Sequence, residues 1–304
     1  MQDFIQKLHT ILPEERIKIQ ALMKEHTTFR VGGPADVMVS PKSSEELTRI
    51  LSLAKEYQIP YYVIGHGSNL LVGDGGIRGL VIEFGKEYAE ITWDGDRGLI
   101  VQAGCMMSTA ANFAYKHGLT GMEFAAGIPG TLGGAIRMNA GAYGGEMKDI
   151  VKTVTVMLPD GDVKVLDRDE MHFAYRHSIA DEQDLIILET VLVLEHGDSD
   201  AIQSRMQELS QARREKQPLE YPSAGSTFKR PEGYFAGKLI MEAGLAGYRI
   251  GDAQVSEKHC GFVINRGEAT AKEIDTLMKD VIRNVQEKDG VTLEPEVRRV
   301  GEFV

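Results

Sequence analysis

The fold of this chain is decided by residues 124–145, which read FAAGIPGTLGGAIRMNAGAYGG. Glycine at this density destabilises regular helices and strands, but it lets the backbone lie close against a flat or charged ligand. No charged side chain occurs between Phe124 and Ile136, which argues against a solvated linker. The segment is therefore either a glycine-rich structural turn or a ligand-binding loop.

Another glycine-rich loop lies upstream, at residues 63–72, with the sequence VIGHGSNLLV; we call it the first glycine loop, and residues 124–145 the second. It follows an apolar, strand-like run at residues 61–64, and it carries polar side chains at Ser68 and Asn69. The glycine spacing differs from the G-x-G-x-x-G pattern of dinucleotide-binding folds. Two such loops in one chain favour the ligand-binding interpretation over the structural turn.

The rest of the chain contains alternating helix-like and strand-like segments. Residues 1–20 have the periodicity of one or two N-terminal helices. Glu46 is spaced for a capping box with Ser43. Residues 217–222 are typical of a linker and mark a domain boundary. The other predicted elements include strands at 35–39, 61–64, 80–84, 91–93, 99–103, 185–194 and 261–265, a hairpin of 151–158 with 162–166, and helices at 43–57, 108–118, 199–216 and 271–287.

The composition restricts the class of protein. A length of 304 residues suggests about two domains, and a formal net charge of -11 argues against a general nucleic-acid or anionic-membrane binder. The two cysteines, Cys105 and Cys260, form no metal-like cluster and indicate reduced thiols. No apolar run reaches the about 18 residues of a membrane span, and the N-terminus lacks a signal-peptide pattern. We therefore expect a cytoplasmic protein without metal, nucleic-acid partner or membrane insertion.

Two short motifs carry residues suited to catalysis. Arg176, in FAYRHS, offers a planar guanidinium that can pair with a carboxylate or an enolate oxygen. A structural ion pair is the alternative for this arginine. Ser226, in YPSAGSTFKRP, can donate a proton if a strongly basic carbanion forms beside it and the serine anion is stabilised. A helix cap or turn is the alternative for this serine.

A third motif, LEPEVR at residues 293–298, carries Glu296. A carboxylate there can balance the charge and the proton of a reaction intermediate. Glu294 in the same role, or a surface pair between Glu296 and Arg298, are the alternatives.

The two glycine loops together resemble the flavin-binding fold of the vanillyl-alcohol oxidase and p-cresol methylhydroxylase type. With the three motifs in this order, the chain more narrowly resembles the UDP-N-acetylenolpyruvoylglucosamine reductase family, whose flavoenzymes complete UDP-N-acetylmuramate in bacterial cell-wall synthesis. The resemblance runs from about Thr27 to Gly301. One branch of that family has an extra tyrosine-bearing loop and fold extension before the serine motif. The chain has no room for them, so the short form typical of Gram-positive bacteria fits better.

The resemblance implies an α+β fold, with a two-part FAD-binding domain of that type and a third α/β domain that binds substrate. The implied domains are an FAD-binding subdomain at residues 1–82, to which residues 293–304 return, a second FAD-binding subdomain at 83–216, and a substrate-binding domain at 217–292.

The same resemblance implies FAD, with its pyrophosphate against Gly65–Asn69 and Gly127–Gly134. His66 departs from the all-glycine loop of the family and is shifted from the glycine-histidine-serine pattern of covalent flavin oxidases, so non-covalent FAD is expected. The implied cofactor-binding residues are Gly65, His66, Gly67, Ser68, Asn69, Leu70, Gly127, Ile128, Pro129, Gly130, Thr131, Gly133, Gly134, Asn139, Ala140 and Gly141.

For the reaction, the resemblance implies that the enolpyruvyl group of UDP-N-acetylenolpyruvoylglucosamine is reduced to a lactyl group, with NADPH as hydride donor. Arg176 would polarise the substrate carboxylate, Ser226 would protonate the enol intermediate, and Glu296 would assist; Tyr175 and Ser178 match the arginine motif. No obligate protein partner is implied. The candidates for substrate binding are Tyr175, Lys229, Lys238, Gln254 and His259.

Two alternatives remain at this point. An FAD-dependent alcohol or sugar-lactone oxidase of the same fold would usually need a base in place of Ser226. A flavin-carrying or sugar-nucleotide-binding module without turnover would not need Arg176, Ser226 and Glu296 together.

Overall fold

A computed structural model describes residues 1–95 and 98–304. The helices within these residues are α1 (Gln2–Leu8), α2 (Ser44–Glu56), α3 (Met107–Lys116), α4 (Leu132–Arg137), α5 (Ile179–Glu182), α6 (Ser199–Lys216), α7 (Ala236–Glu242) and α8 (Ala271–Asp289). The strands are β1 (Ile17–Leu22), β2 (Pro34–Val39), β3 (Tyr61–Ile64), β4 (Leu70–Val72), β5 (Ile77–Glu83), β6 (Ile91–Asp94), β7 (Gly98–Gln102), β8 (Leu119–Thr120), β9 (Gly141–Ala142), β10 (Gly145–Glu146), β11 (Val151–Met157), β12 (Val163–Asp167), β13 (Ile186–Leu192), β14 (Glu195–His196), β15 (Arg249–Ile250), β16 (Ala253–Val255), β17 (Val263–Asn265) and β18 (Arg298–Val300).

The chain divides into two compact units. Unit 1 consists of residues Met1–Lys18, Val37–His66 and Leu80–Arg213. Unit 2 consists of residues Ile19–Asp36, Gly67–Gly79 and Arg214–Val304. Each unit has a hydrophobic core of its own. The first glycine loop crosses from one unit to the other between His66 and Gly67.

Unit 1 contains a five-stranded antiparallel sheet with the strand order β12-β11-β13-β7-β6. The central strand β13 reads IILETVL, a mostly apolar, partly β-branched sequence that suits a buried strand. Helix α4 packs against β13 and β7. Because α4 lies within the second glycine loop, this packing places that loop beside the sheet. The hairpin predicted for residues 151–158 and 162–166 is confirmed as β11 and β12.

The start of α2 shows where local sequence rules hold and where they fail. Ser43 caps the helix as predicted, because its hydroxyl accepts a hydrogen bond from the Glu46 N–H at 3.2 Å. The capping box with Glu46 does not form. The Glu46 carboxylate instead accepts from the Lys42 N–H at 2.9 Å and from Arg16 at 2.6 Å. A cation distant in sequence therefore redirects the side chain.

The predicted helix over residues 1–20 is wrong in its second half. Helix α1 ends at Leu8, and residues 17–22 form strand β1 with the sequence IKIQAL. Pro13 precedes a short 3-10 turn and not a second helix. Strand β1 is the edge strand of a sheet with the order β1-β2-β5-β3, so pairing with a distant strand overrides the local periodicity.

Unit 2 is built around α8 and a three-stranded sheet with the order β15-β16-β17. A capping box between Thr270 and Glu273 starts α8, and Gly290, with a φ of 69°, ends it. The short strand β4, which forms the end of the first glycine loop, pairs in parallel with β18. In that pairing Leu70 lies opposite Arg298. The pairing brings the C-terminal motif to the first glycine loop.

None of the helices in residues 1–95 and 98–304 is both long and apolar enough to cross a membrane.

Candidate active site

The two glycine loops touch each other within unit 1. A Cβ atom added to Gly65 of the first loop would come within 2.0 Å of the Thr131 Oγ1 in the second loop. Thr131 is itself buried and lies directly before α4. A side chain at position 65 would therefore separate the two loops, which explains the glycine there.

The second loop is anchored, at the start of α4, to the segment that directly follows β7. The N–H groups of Leu132 and Gly133 donate to the carbonyl oxygens of Cys105 and Ala103, at 2.8 and 2.9 Å. These two donors are therefore occupied within the protein. Gly134 differs, because it is exposed and the nearest described atom to an added Cβ is the Thr131 Oγ1, at 3.8 Å. A flat or anionic ligand can approach the backbone at Gly134.

The predicted loop positions differ in their exposure. His66, Gly127, Pro129 and Gly134 are exposed, and Gly65, Ser68, Asn69, Ile128, Gly133 and Gly141 are half-buried. The remaining six are buried, namely Gly67, Leu70, Gly130, Thr131, Asn139 and Ala140.

Arg213, which the sequence analysis did not select, lies beside the second loop. A Cβ atom added to Gly127 would lie 2.7 Å from the Arg213 Nη1. Burial lowers the pKa of the Arg213 guanidinium, yet an arginine stays charged in proteins. The fold thus brings a positive charge to this loop. Arg213 lies in the polar run ARREK of α6, which is typical of a solvated helix face, so no sequence signal marks it.

The part of the first loop that belongs to unit 2 is tied to the C-terminal motif. The Asn69 side-chain amide donates to the Glu296 carbonyl oxygen at 3.0 Å, and the Arg298 N–H donates to the Asn69 carbonyl oxygen at 2.9 Å. Gly67 has a φ of 64°, and a Cβ atom there would lie 2.1 Å from the His26 carbonyl oxygen. Glycine is required at position 67 on both grounds.

Unit 2 also brings the serine motif and the glutamate motif together. Phe228 and Pro295 form an antiparallel bridge, and the Glu296 N–H donates to the Thr227 carbonyl oxygen at 2.8 Å. Thr227 is fully buried, whereas Ser226 and Glu296 are half-buried. The backbone next to Ser226 is therefore bonded directly to the backbone of Glu296.

Arg176 lies in a tight turn of unit 1. Ala174 and His177 exchange two backbone hydrogen bonds, of 3.1 and 3.2 Å, across the turn. Arg176 has a φ of 54°, a value that residues other than glycine adopt rarely. Its guanidinium lies 5.2 Å from the centre of the exposed Tyr175 ring and makes a long contact of 3.5 Å with the Gly141 carbonyl oxygen. The turn thus presents Arg176 with an aromatic neighbour.

Three residues of the predicted site use their polar atoms inside unit 1. Asn139 has no exposed surface, and its side chain bonds to three neighbours within the unit. The Ala140 N–H donates to the Ala135 carbonyl oxygen, and the Ala140 carbonyl oxygen accepts from Met147. The buried Ser178 hydroxyl donates to a main-chain carbonyl oxygen at 2.7 Å. In the structure the polar atoms of these three residues join neighbouring segments of unit 1 by hydrogen bonds.

The charged substrate candidates of unit 2 make ion pairs. Lys229 pairs with Glu294, directly beside the bridge that joins the serine and glutamate motifs. Lys238 is exposed on α7 and lies 3.7 Å from Glu242, one helical turn away. Lys229 belongs to the serine motif, and its partner Glu294 belongs to the glutamate motif, whereas Lys238 lies outside both motifs.

The other two candidates, Gln254 and His259, hold backbone. The Gln254 side-chain amide donates to the Gly247 carbonyl oxygen at 3.1 Å. The His259 Nδ1 accepts from the Gly261 N–H at 3.1 Å, and burial lowers the pKa of its imidazole. The Gly261 carbonyl oxygen in turn accepts from the Thr227 N–H at 2.8 Å. His259 is therefore connected to the serine motif, and Gln254 closes a hairpin.

Residues 1–95 and 98–304 contain no group of three His, Cys, Asp or Glu side chains that could hold a metal ion.

Two family models match the chain. The FAD binding domain matches residues 35–167, a range that contains both glycine loops. The C-terminal domain of UDP-N-acetylenolpyruvoylglucosamine reductase matches residues 217–300, a range that contains Ser226 and Glu296.

Full-length relatives give the same result. The chain is 51% identical to the UDP-N-acetylenolpyruvoylglucosamine reductase of Agathobacter rectalis, over 99% of each chain. It is also 51% identical to the reductase of the same name from Clostridioides difficile, again over 99% of each chain. Among solved structures, the reductase from Thermus caldophilus superimposes with a TM-score of 0.80 at 38% identity, over 93% of this chain and 99% of that one.

The fold and the two glycine loops define an FAD-binding flavoprotein of the vanillyl-alcohol oxidase and p-cresol methylhydroxylase type, so the predicted α+β fold class is confirmed. The C-terminal motifs and the full-length matches narrow this class further. The chain belongs to the UDP-N-acetylenolpyruvoylglucosamine reductase family.

Proposed function

We propose that this protein reduces the enolpyruvyl group of UDP-N-acetylenolpyruvoylglucosamine to the lactyl group of UDP-N-acetylmuramate, a step of peptidoglycan precursor synthesis. The observation that carries the proposal is the bonding of the Ser226 and Glu296 segments to each other in a chain of this family. Reduction of a carbon-carbon double bond needs one hydride and one proton, and a serine hydroxyl and a carboxylate on two segments bonded to each other suit the proton transfer.

The residues of the two loops fit FAD. Gly134 offers accessible backbone, and Arg213 adds a positive charge at Gly127 suited to a pyrophosphate. Bound FAD would supply the hydride chemistry, with NADPH as the hydride donor and the methylene carbon of the substrate as the acceptor. We expect FAD to be held without a covalent bond to His66. After acid precipitation, the yellow colour should stay in the supernatant; colour in the pellet would contradict this.

The side chains of Ser226 and Glu296 act on the proton. In the proposed mechanism the Ser226 hydroxyl donates its proton to the carbon next to the methylene carbon. Glu296 balances the charge and the proton of the enol form. The backbone bond between Thr227 and Glu296 keeps the two segments in a fixed register, and such pre-organisation lowers the cost of reaching the transition state.

Arg176 acts on the carboxylate of the enolpyruvyl group. Its guanidinium can form two parallel hydrogen bonds with a carboxylate, and these bonds strengthen as negative charge develops in the enol form. Tyr175 supports this role because it holds the guanidinium over its ring. Lys229, next to the serine motif, is the residue of unit 2 that we assign to the anionic part of the substrate.

The three-domain division at residues 82 and 216 is part of this proposal. So is the cytoplasmic location, which the two buried free cysteines favour.

One experiment tests the function against its alternatives. Purified yellow protein is mixed anaerobically with NADPH and then with UDP-N-acetylenolpyruvoylglucosamine. We expect the flavin band to bleach with NADPH and to return on addition of the enolpyruvyl sugar nucleotide. A flavin that NADPH does not bleach would identify a carrier or binding module. A bleached flavin that only dioxygen restores would identify an oxidase.

A further inference from the structure

We infer that Asn139 is a positioning residue for Arg176. Its side-chain amide fixes the turn from which the Arg176 guanidinium reaches the substrate carboxylate. This inference rests on the proposed function, because it assumes that Arg176 acts in the substrate step.

The hydrogen bonds of Asn139 use its whole amide group. The Nδ2 donates to the Ala174 carbonyl oxygen at 3.1 Å and to the Glu146 Oε2 at 2.9 Å, and the Oδ1 accepts from the Lys148 N–H at 2.9 Å. An amide has two N–H donors and a carbonyl acceptor, so this set of partners selects an amide over a carboxylate or a hydroxyl. The side chain is fully buried, so its bonds are not exchanged for water.

The backbone at Asn139 also favours asparagine. Its φ is 43°, in the left-handed region in which asparagine is several-fold enriched. The carbonyl group that Asn139 holds belongs to Ala174, the first residue of the Arg176 turn. Arg176 itself has a φ of 54°, a conformation that persists only when surrounding contacts impose it. The bond from Asn139 to Ala174 is such a contact.

The acceptor on the other side of Asn139 is charged and is itself fixed. The Glu146 carboxylate pairs with the Lys148 ammonium at 2.5 Å, and Glu146 forms a capping box with Asp149. A hydrogen bond to an ionised acceptor is stronger than one between neutral groups. Asn139 therefore links the charged pair of Glu146 and Lys148 to the turn that carries Arg176.

The test is the substitution Asn139→Asp, which keeps the size of the side chain and removes both donors. A carboxylate at position 139 would face the Glu146 carboxylate and the Ala174 carbonyl oxygen, so the turn should be released. We expect unchanged FAD content and an NADPH half-reaction within about twofold of the parent. We expect the substrate half-reaction to slow by about 10- to 100-fold, because small displacements of a catalytic group cost that much.

The matched control is Asn265→Asp in unit 2. Asn265 is also buried, and it donates to the Phe29 carbonyl oxygen at 3.1 Å and accepts from the Gly267 N–H at 2.9 Å. Each substitution is combined with Arg176→Lys, and the substrate half-reaction is followed by stopped-flow absorbance. We expect Asn139→Asp to slow the substrate half-reaction of Arg176→Lys only a little further. Any slowing that Asn265→Asp causes alone should appear in full when it is combined with Arg176→Lys.

The outcomes separate this inference from the proposed function. If Arg176→Lys alone leaves the substrate half-reaction unchanged, the role of Arg176 in the proposed function is wrong. If Arg176→Lys slows that step but Asn139→Asp does not, or if the two effects multiply, Asn139 does not position Arg176. Should Asn139→Asp not fold, Asn139→Ser, which loses the amide donors without adding charge, is measured in the same way and judged by the same two results.

Discussion

The side-chain amide of Asn69 donates a 3.0 Å hydrogen bond to the carbonyl oxygen of Glu296. A residue of the first glycine loop therefore holds the backbone of a proposed catalytic residue 227 positions away in the sequence. The Arg298 N–H donates to the carbonyl oxygen of the same asparagine. Within unit 2, these hydrogen bonds join the loop to the glutamate motif, so a substitution at Asn69 should change how firmly the backbone of Glu296 is held.

The first prediction concerns Asn69→Ala, which leaves the Glu296 carbonyl oxygen without this donor. Loss of one such bond typically lowers the free energy of unfolding by about 0.5–1.5 kcal/mol. The rate of the substrate half-reaction should also fall, since Glu296 is less fixed. Urea unfolding and stopped-flow absorbance measure the two effects. Ser68→Ala, in the same loop and also half-buried, is the control and should not reproduce the loss of stability. Equal stability losses in the two variants would contradict the prediction.

The second prediction concerns the accessible backbone at Gly134. Gly134→Val adds a side chain where the nearest atom outside its chain neighbours and the backbone of α4 lies 3.8 Å away, so the protein should fold. The new side chain would occupy the space assigned to the FAD pyrophosphate, and the purified protein should lack most of its flavin. The ratio of flavin absorbance to protein absorbance, with circular dichroism for the fold, measures this.

Gly85→Val is the control for Gly134→Val. Gly85 also belongs to unit 1, has a φ of -125°, and has no atom within 4 Å of an added Cβ. Its flavin content should stay at the parent level. Full flavin content in Gly134→Val would show that the second loop does not contact the cofactor at this point.

The third prediction is a pH dependence of stability that arises from His259. Burial lowers the pKa of this imidazole below its ordinary 6.5, so the unfolded chain binds the proton more tightly than the folded protein. The stability contributed by the neutral ring is complete above pH 6.5 and is lost as the pH falls through the folded-state pKa. Protonation would also remove the Nδ1 acceptor for the Gly261 N–H.

His259→Asn keeps an acceptor near that N–H and does not titrate. The decrease in Tm between about pH 6.5 and pH 5 should therefore be smaller in His259→Asn than in the parent. His196→Asn, at an exposed histidine of unit 1, should retain the parent profile. If all three proteins lose the same Tm over this range, the folded state does not depend on a neutral His259.

The sequence predicts features that depend on residues close together in the chain, and it misses features that depend on residues far apart. Ser43 as a helix cap and the β11–β12 hairpin depend on neighbours a few residues away, and both are confirmed. The redirection of Glu46 by Arg16 depends on a partner 30 residues away and was not predicted. The same holds for Arg213, which lies in a polar helix and becomes part of the loop surroundings only through tertiary packing.

The site shows the same limit. Motif order points to Arg176, Ser226 and Glu296, because each motif is contiguous in sequence. The two asparagines of the glycine loops were expected to contact FAD, since amides in such loops often bind a ligand edge. In the structure both donate to backbone carbonyl groups of the segments that carry the proposed catalytic residues, Asn69 to Glu296 and Asn139 to Ala174. Those contacts bridge 227 and 35 residues of sequence, so no local pattern reveals them.

The last prediction concerns Ser226, the proposed proton donor. Ser226→Ala removes the hydroxyl with little change of volume, at a half-buried position whose neighbour Thr227 keeps the backbone bond to Glu296. The fold, the FAD content and the NADPH half-reaction should stay at the parent level. The substrate half-reaction should slow by about 10²–10⁴-fold, the usual cost of losing a positioned general acid. Stopped-flow absorbance at the flavin band follows each half-reaction separately.

Ser226→Cys is the companion variant, because a thiol can still donate a proton and should retain part of the activity that Ser226→Ala loses. Thr227→Ala is unsuitable as a control, since it would remove the buried hydroxyl that accepts from the Val263 N–H at 2.9 Å. Thr276→Ala serves better, because Thr276 is exposed on α8, and it should leave both half-reactions unchanged. If Ser226→Ala reoxidises its flavin with substrate at the parent rate, Ser226 is not the acid. If the NADPH step slows as much as the substrate step, Ser226 has a structural role, and the proton must come from another group.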